Sequence, residues 1–285
     1  MRRRARAATI VRFSVAALLA GIYLLPLFWM ISTSIKPPSE VIQTPPVLIT
    51  TSPQIESYKS VLGLPTDRPE LYVSTLTYLK NSLIIGTSTM ALTLLLAVPA
   101  AYALARFALR GARLFVLAIL IAQMFPSALL VIPLFVVVKS VGLQGSQLAV
   151  VIADTALALP FGIILLRTSF GQVPKDIEEA AWVDGASRSM TLRRVIVPLV
   201  RPGLVAVAVF SFLTAWGEFV FALSFLPDVG SQPISLGIFQ FVGMYKTHWD
   251  SMMAYATIVA IPAVIALLLL KGQFVSGLTA GSVKS

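Results

Sequence analysis

Residues 81–105 read NSLIIGTSTMALTLLLAVPAAYALA, a stretch without Lys, Arg, Asp or Glu. A helix of about 20 apolar residues crosses the hydrocarbon core of a bilayer, so this stretch is long enough to span one. It does not alternate in polarity as a barrel strand would. In lipid, with no water to bond, its backbone must close its own hydrogen bonds, which makes it a helix. Five further stretches are comparable. Residues 13–35, 114–138 and 251–270 are equally free of charge, and 146–166 and 203–227 hold one acid each, Asp154 and Glu218. The sequence therefore predicts an all-α membrane protein with six transmembrane helices over these ranges. Composition agrees: 57% of residues are hydrophobic and 12% charged, against about 25% charged in soluble domains. Mean hydropathy is +0.88.

The net charge of +10 raises the question of nucleic acid, and its distribution answers it. With the N-terminus inside, the inner segments hold Arg2, Arg3, Arg4, Arg6, Arg12, Arg106, Arg110, Arg113, Arg167, Lys175, Arg188, Arg193, Arg194, Arg201, Lys271 and Lys284. The outer segments hold only Lys36, Lys59, Arg68, Lys80, Lys139 and Lys246. Basic residues concentrate on the cytoplasmic side of membrane proteins. The pattern predicts a multi-pass protein of the cell membrane with both termini cytoplasmic and no nucleic-acid partner. It gives a tail over 1–12, a polytopic domain over 13–271 and a second tail over 272–285. The Arg-rich start resembles a signal peptide, but its apolar run is too long for an h-region and lacks a small-residue cleavage site. It is expected to be a retained anchor. Without cysteine there is no disulfide, thiolate metal site or cysteine nucleophile. One histidine, His248, without a cluster of acids makes no metal site.

Residues 36–80 form the longest outer segment. There Ser52-Pro53 reads as an N-cap followed by Pro at the first helical position, and Ile55, Tyr58, Val61 and Leu62 would share one face of a short helix. That face would rest on lipid or bind a partner. Residues 106–113 and 139–146 read as tight turns, the latter broken by Gly142 and Gly145. Proline punctuates the spans at Pro26, Pro99, Pro126, Pro133, Pro160 and Pro262. Two of these in one span, Pro126 and Pro133, predict a bent helix.

The unusual segment is 167–202, too polar to span and too long for a turn. Its grammar is helix–turn–helix. Pro174 stands at a first-turn position, followed by Asp176, Glu178 and Glu179, acids that complement the positive end of a helix dipole. Ile177, Ala180, Ala181 and Val183 supply apolar side chains. Gly185 is the residue expected where φ must be positive. A second helix over 187–197 carries Arg193 and Arg194 near its end and is stopped by Pro198. The segment predicts a compact knob suited to a groove on a cytoplasmic partner.

Glu179-Ala180-Ala181, then Asp184-Gly185-Ala186, then Val195-x-Val197-Pro198 resembles the EAA motif of ABC importer permease subunits. Thr33-Ser34-Ile35-Lys36, Asn81-Ser82-Leu83, Met124-Phe125-Pro126 and Ile132-Pro133-Leu134-Phe135 resemble the carbohydrate-importer branch, of the maltose-permease G-subunit type. Ala215-Trp216-Gly217-Glu218-Phe219 is similar to that branch's Trp-Asn-Asp/Glu segment, with Gly217 in place of Asn. The resemblance implies a permease paired with a second permease. It also implies an ATPase dimer holding ATP and Mg and docking on the loop through Glu178, Glu179, Ala180, Ala181, Asp184, Gly185, Ala186 and Pro198. An extracytoplasmic solute-binding protein would deliver a carbohydrate. This chain has no Gly-rich phosphate loop ending in Lys-Ser/Thr and no nucleophile–base pair, so no catalytic site or cofactor is expected in it.

Asp154 and Glu218 lie within spans, where an ionisable group is costly and usually faces a bundle interior or cavity. Their carboxylates could accept hydrogen bonds from sugar hydroxyls, with Trp216, Phe219 and Phe221 offering aromatic faces, or they could serve packing between helices or permeases. Two other readings compete with a sugar importer: a permease for another solute, and an ion-coupled secondary transporter, which would call for internal repeats and broken spans.

Overall fold

The computed structural model describes residues 2–67, 75–243 and 247–280. Arg68, Lys246 and Lys284, three of the basic residues that enter the charge asymmetry, lie outside them. The described residues are mostly helical and hold no strand, only an isolated bridge between Val242 and Thr247. In chain order the helices are α1 (Arg2–Ser34), α2 (Pro38–Val41), α3 (Glu56–Leu62), α4 (Thr75–Arg106), α5 (Ala112–Ala122), α6 (Ser127–Ser140) and α7 (Gln147–Gly171). Then come α8 (Lys175–Val183), α9 (Arg188–Leu199), α10 (Arg201–Trp216), α11 (Val220–Phe225), α12 (Ile234–Gly237) and α13 (Trp249–Ala280).

Four stretches are long and apolar enough to cross a membrane as single helices: Val11–Ser34, Thr75–Arg106, Gln147–Gly171 and Trp249–Leu269. Two bent pairs bring the number to as many as six: α5 with α6, bent by 101°, and α9 with α10, bent by 82°. The bend expected from Pro126 and Pro133 is a full break at Pro126 alone. Pro126 has φ −59° and ψ 131° and precedes α6, while Pro133 sits inside that helix. Pro26, Pro99, Pro160 and Pro262 likewise lie within helices. The stretch 203–227 is not one helix. α10 ends at Trp216 and α11 starts afresh at Val220, because Glu218 folds back to cap the new start. The turn at 139–146 falls where Gly142 and Gly145 were expected to allow it, with φ 73° and 83°, and the turn at 106–113 holds a third such glycine, Gly111, with φ 83°. Ser146 then caps α7, accepting from the Leu148 amide at 3.2 Å.

The chain divides into two compact units, residues 1–75 with 238–260 and residues 76–237 with 261–285. In the first, polar contacts organise the segment after α1. Ser34 Oγ meets Tyr58 Oη at 2.8 Å, Ser57 Oγ donates to Asp250 Oδ2 at 2.8 Å, and Lys36, 2% exposed, lies 4.2 Å from the centre of the Trp29 ring. The short helix expected after Ser52-Pro53 starts three residues later, at Glu56. It buries Ser57, Ser60 and Val61 within its own unit, whereas Ile55 is outside the helix and exposed.

Two core clusters of the second unit pack its long helices together. One joins Ile85, Val150, Val151, Ala153, Phe221 and Phe225. The other joins Ala97 and Ala101 of α4, Ile163, Leu166 and Phe170 of α7, and Ile196 of α9. Glycine lets these helices approach. A Cβ on Gly162 would lie 3.1 Å from Val207 Cγ1 and 3.3 Å from Ala97 Cβ, the close packing that small residues permit between membrane helices.

Candidate coupling surface and buried acids

The segment 167–202 folds as two helices joined by a glycine. Pro174 precedes α8, whose first turn holds Asp176 and Glu178. Gly185 follows with φ +83°, a conformation that disfavours any side chain. The Gly185 amide donates to the Trp182 carbonyl at 3.0 Å and the Ala186 amide to the Ala181 carbonyl at 2.9 Å, closing the end of α8 in the manner of a glycine cap. Ser187 caps α9, its hydroxyl accepting from the Met190 amide at 3.3 Å. α9 runs on past the expected stop: Pro198 lies inside it, and a widened turn over Leu192–Ile196 precedes that proline. Such a turn already shifts the hydrogen-bond register, so the missing proline N–H terminates nothing.

α8 turns most of its expected apolar residues outward. Ile177, Glu179, Ala180, Trp182, Val183, Asp184 and Gly185 are all exposed, Val183 at 87%, while Ala181 and Ala186 are half-buried and Pro198 is exposed. Ile177, Trp182 and Val183 are the large apolar side chains on this exposed face. Glu178 does the opposite. It is 3% exposed and is the one residue of α8 that is buried. Its carboxylate takes a charge-assisted bond from Arg106 Nε and a second, at 2.9 Å, from Tyr102 Oη. Arg106 Nη2 also donates to the Val173 carbonyl at 2.8 Å. Neither Arg106 nor Tyr102 stands out in sequence; the only signal is an Arg closing an apolar span at the end expected to share a side of the membrane with the acids of 167–202.

The two buried acids differ in their surroundings. Glu218 is half-buried and gives both oxygens to its own chain, accepting from the amides of Phe221 at 2.7 Å and Ala222 at 2.9 Å. It satisfies donors left open at the start of α11. Asp154 is fully buried, and neither of its oxygens has a hydrogen-bond partner among the described residues. Trp216, 5% exposed, stacks on Phe212 at 5.4 Å, Phe221 stacks on Phe225 at 5.5 Å, and Phe219 is half-buried against the same core. No group of three or more metal-ligating side chains occurs among the described residues.

Residues 93–279 match the family described as the binding-protein-dependent transport system inner membrane component. The chain belongs to that family. As an inner membrane component it is similar to the diacetylchitobiose uptake system permease protein DasC of Streptomyces coelicolor, at 34% identity over 91% of each chain. It is 37% identical to the trehalose/maltose transport system permease protein MalG of Thermococcus litoralis over 94% of each chain. Identity to the trehalose transport system permease protein SugB of Mycobacterium tuberculosis is 35%, again over 94% of each. Its fold is that of a chain in a crystal structure of a bacterial ABC transporter that imports alginate: TM-score 0.78, 22% identity, covering 94% of this chain and 96% of the other. This permease is thus an ABC importer membrane subunit, of a family whose ATPase is a separate subunit.

Proposed function

We propose that this permease forms, with a second permease, the translocation pathway for a sugar or oligosaccharide, driven by an ATPase dimer that docks on residues 167–202. The observation that carries the reading is the exposed face of α8, with Glu179, Ala180 and Val183 outward and Gly185 closing it at φ +83°. The names of the relatives, which transport diacetylchitobiose, trehalose and maltose, support the sugar. In this reading six spans cross the cell membrane, both termini and the knob are cytoplasmic, and ATP and Mg are held by the ATPase alone. An extracytoplasmic binding protein delivers the substrate. Closure of the ATPase dimer moves the docked knobs, and rigid-body motion of the helices switches access from one side to the other. Asp154, Trp216, Glu218 and Phe219 are the pathway candidates, Asp154 foremost because its oxygens are unspent.

The test is uptake by the assembled importer. Gly185→Val and Glu179→Lys are expected to insert normally and to abolish uptake; transport at the unmodified level by both would sink the coupling assignment. The ligand held by the binding protein that co-purifies with the complex is expected to be a carbohydrate. An amino acid or ion there would transfer the reading to a permease for another solute.

A further inference from the structure

α8 has a single buried side chain. Its other residues face outward or lie at its edges, so the helix has little packing of its own to hold it. It is joined to α7 by the short turn at 172–174 and to α9 through Gly185. What fixes it is the Glu178 carboxylate, gripped by Arg106 Nε and by Tyr102 Oη at 2.9 Å. The Arg106 and Glu178 side chains are 6% and 4% exposed, and Tyr102 is 7% exposed. A pair so removed from water is screened little by salt, and with its partners satisfied it holds one geometry. Tyr102 is itself wedged edge-on against Phe107 and Phe170, with ring centres 6.1 and 5.7 Å away. The second helix of the knob makes a parallel attachment. The Arg188 guanidinium lies 5.6 Å from the ring centres of both Phe107, just past the end of α4, and Trp182 of α8.

The Glu178 contacts and one of the Arg188 contacts converge on the C-terminal end of α4 and the residue after it, at Tyr102, Arg106 and Phe107. We propose that Glu178, held by Arg106 and Tyr102, is the positioning residue that makes α8 and the end of α4 one rigid body, so that a push on the exposed face of α8 is delivered to α4. The inference rests on the docking role given above to residues 167–202. It assigns different tasks to two adjacent acids: Glu179 faces the partner, and Glu178 transmits. α4 becomes the driven helix. The joint stays closed throughout the cycle, since opening it would leave two charges buried without partners.

The chain has no cysteine, so spin labels attach only where thiols are introduced. Labels at Asp176→Cys on α8 and Ala103→Cys on α4 report the joint directly by pulsed electron resonance. The measurement is made on the importer complex purified with its ATPase, without nucleotide and after trapping with Mg-ATP and vanadate. With Glu178 intact the distance is expected to stay constant between the two states. Glu178→Gln, nearly the same shape, is expected to shift or broaden it by about 2 Å or more on trapping, the scale of helix displacements at interfaces. Exchanging the pair, Arg106→Glu with Glu178→Arg, is expected to restore the constant distance, which a merely space-filling role would not produce. A distance that changes on trapping in the unmodified complex, or one unmoved by Glu178→Gln, overturns the joint alone. Failure of an ATPase to co-purify or trap overturns the importer reading and the joint with it.

Discussion

Replacing Glu178 by Ala is expected to destabilise the protein by about 3–5 kcal/mol, the loss typical of breaking a buried ion pair and leaving one charge alone. The same change at the neighbouring Glu179, which is exposed, is expected to stay within about 0.5 kcal/mol. Thermal unfolding in detergent separates the two. Both acids read identically in sequence, as residues complementing a helix dipole. A helix turns about 100° per residue, so adjacent positions face different ways, and only the location of Arg106 decides which acid is inside. Asp154 makes the converse case. Its buried oxygens have no donor to lose, and its charge carries a desolvation cost. Asp154→Asn is therefore expected to leave the unfolding temperature unchanged or to raise it; a clear fall would reveal a bond to Asp154 that a neutral amide cannot replace.

Among the elements, those punctuated by glycine and proline follow the sequence most closely, because their restrictions act within a few residues. Gly185 and Gly142 follow helix ends where they should, both with positive φ. Two elements depart from the reading, and each for a local competition. The apolar run 203–227 breaks at Gly217 because the Glu218 carboxylate caps a new helix, an alternative to continuing the old one that hydrophobicity cannot signal. α9 passes through Pro198 because the turn before it is already widened. Packing between α4, α7 and α10 depends on missing side chains. Gly162→Leu would place atoms where Val207 and Ala97 already stand, an overpacking that costs about 1–3 kcal/mol. The expected result is a lowered unfolding temperature, with Gly162→Ala causing a smaller fall.

At the scale of the molecule, the proposed function puts drive and selectivity in different parts of the chain. Exchanging residues 167–202 for the corresponding loop of a relative is expected to change which ATPase supports uptake and to leave the set of sugars transported unaltered. Uptake of labelled sugars with each ATPase checks it; a changed sugar spectrum would place selectivity in the knob. The sequence alone determined that the chain lives in lipid, because long uncharged runs have no other stable solvent. It also determined that 167–202 is a pair of helices hinged at Gly185, because dihedral limits and capping act locally. Only the tertiary structure decided that Glu178 is buried against Arg106 and Tyr102, that the Glu218 carboxylate caps α11, and that Asp154 has no hydrogen-bond partner among the described residues. The first of these depends on a group brought from a distant position: Arg106 and Glu178 are 72 residues apart, and no local pattern records which distant side chain a buried carboxylate will meet.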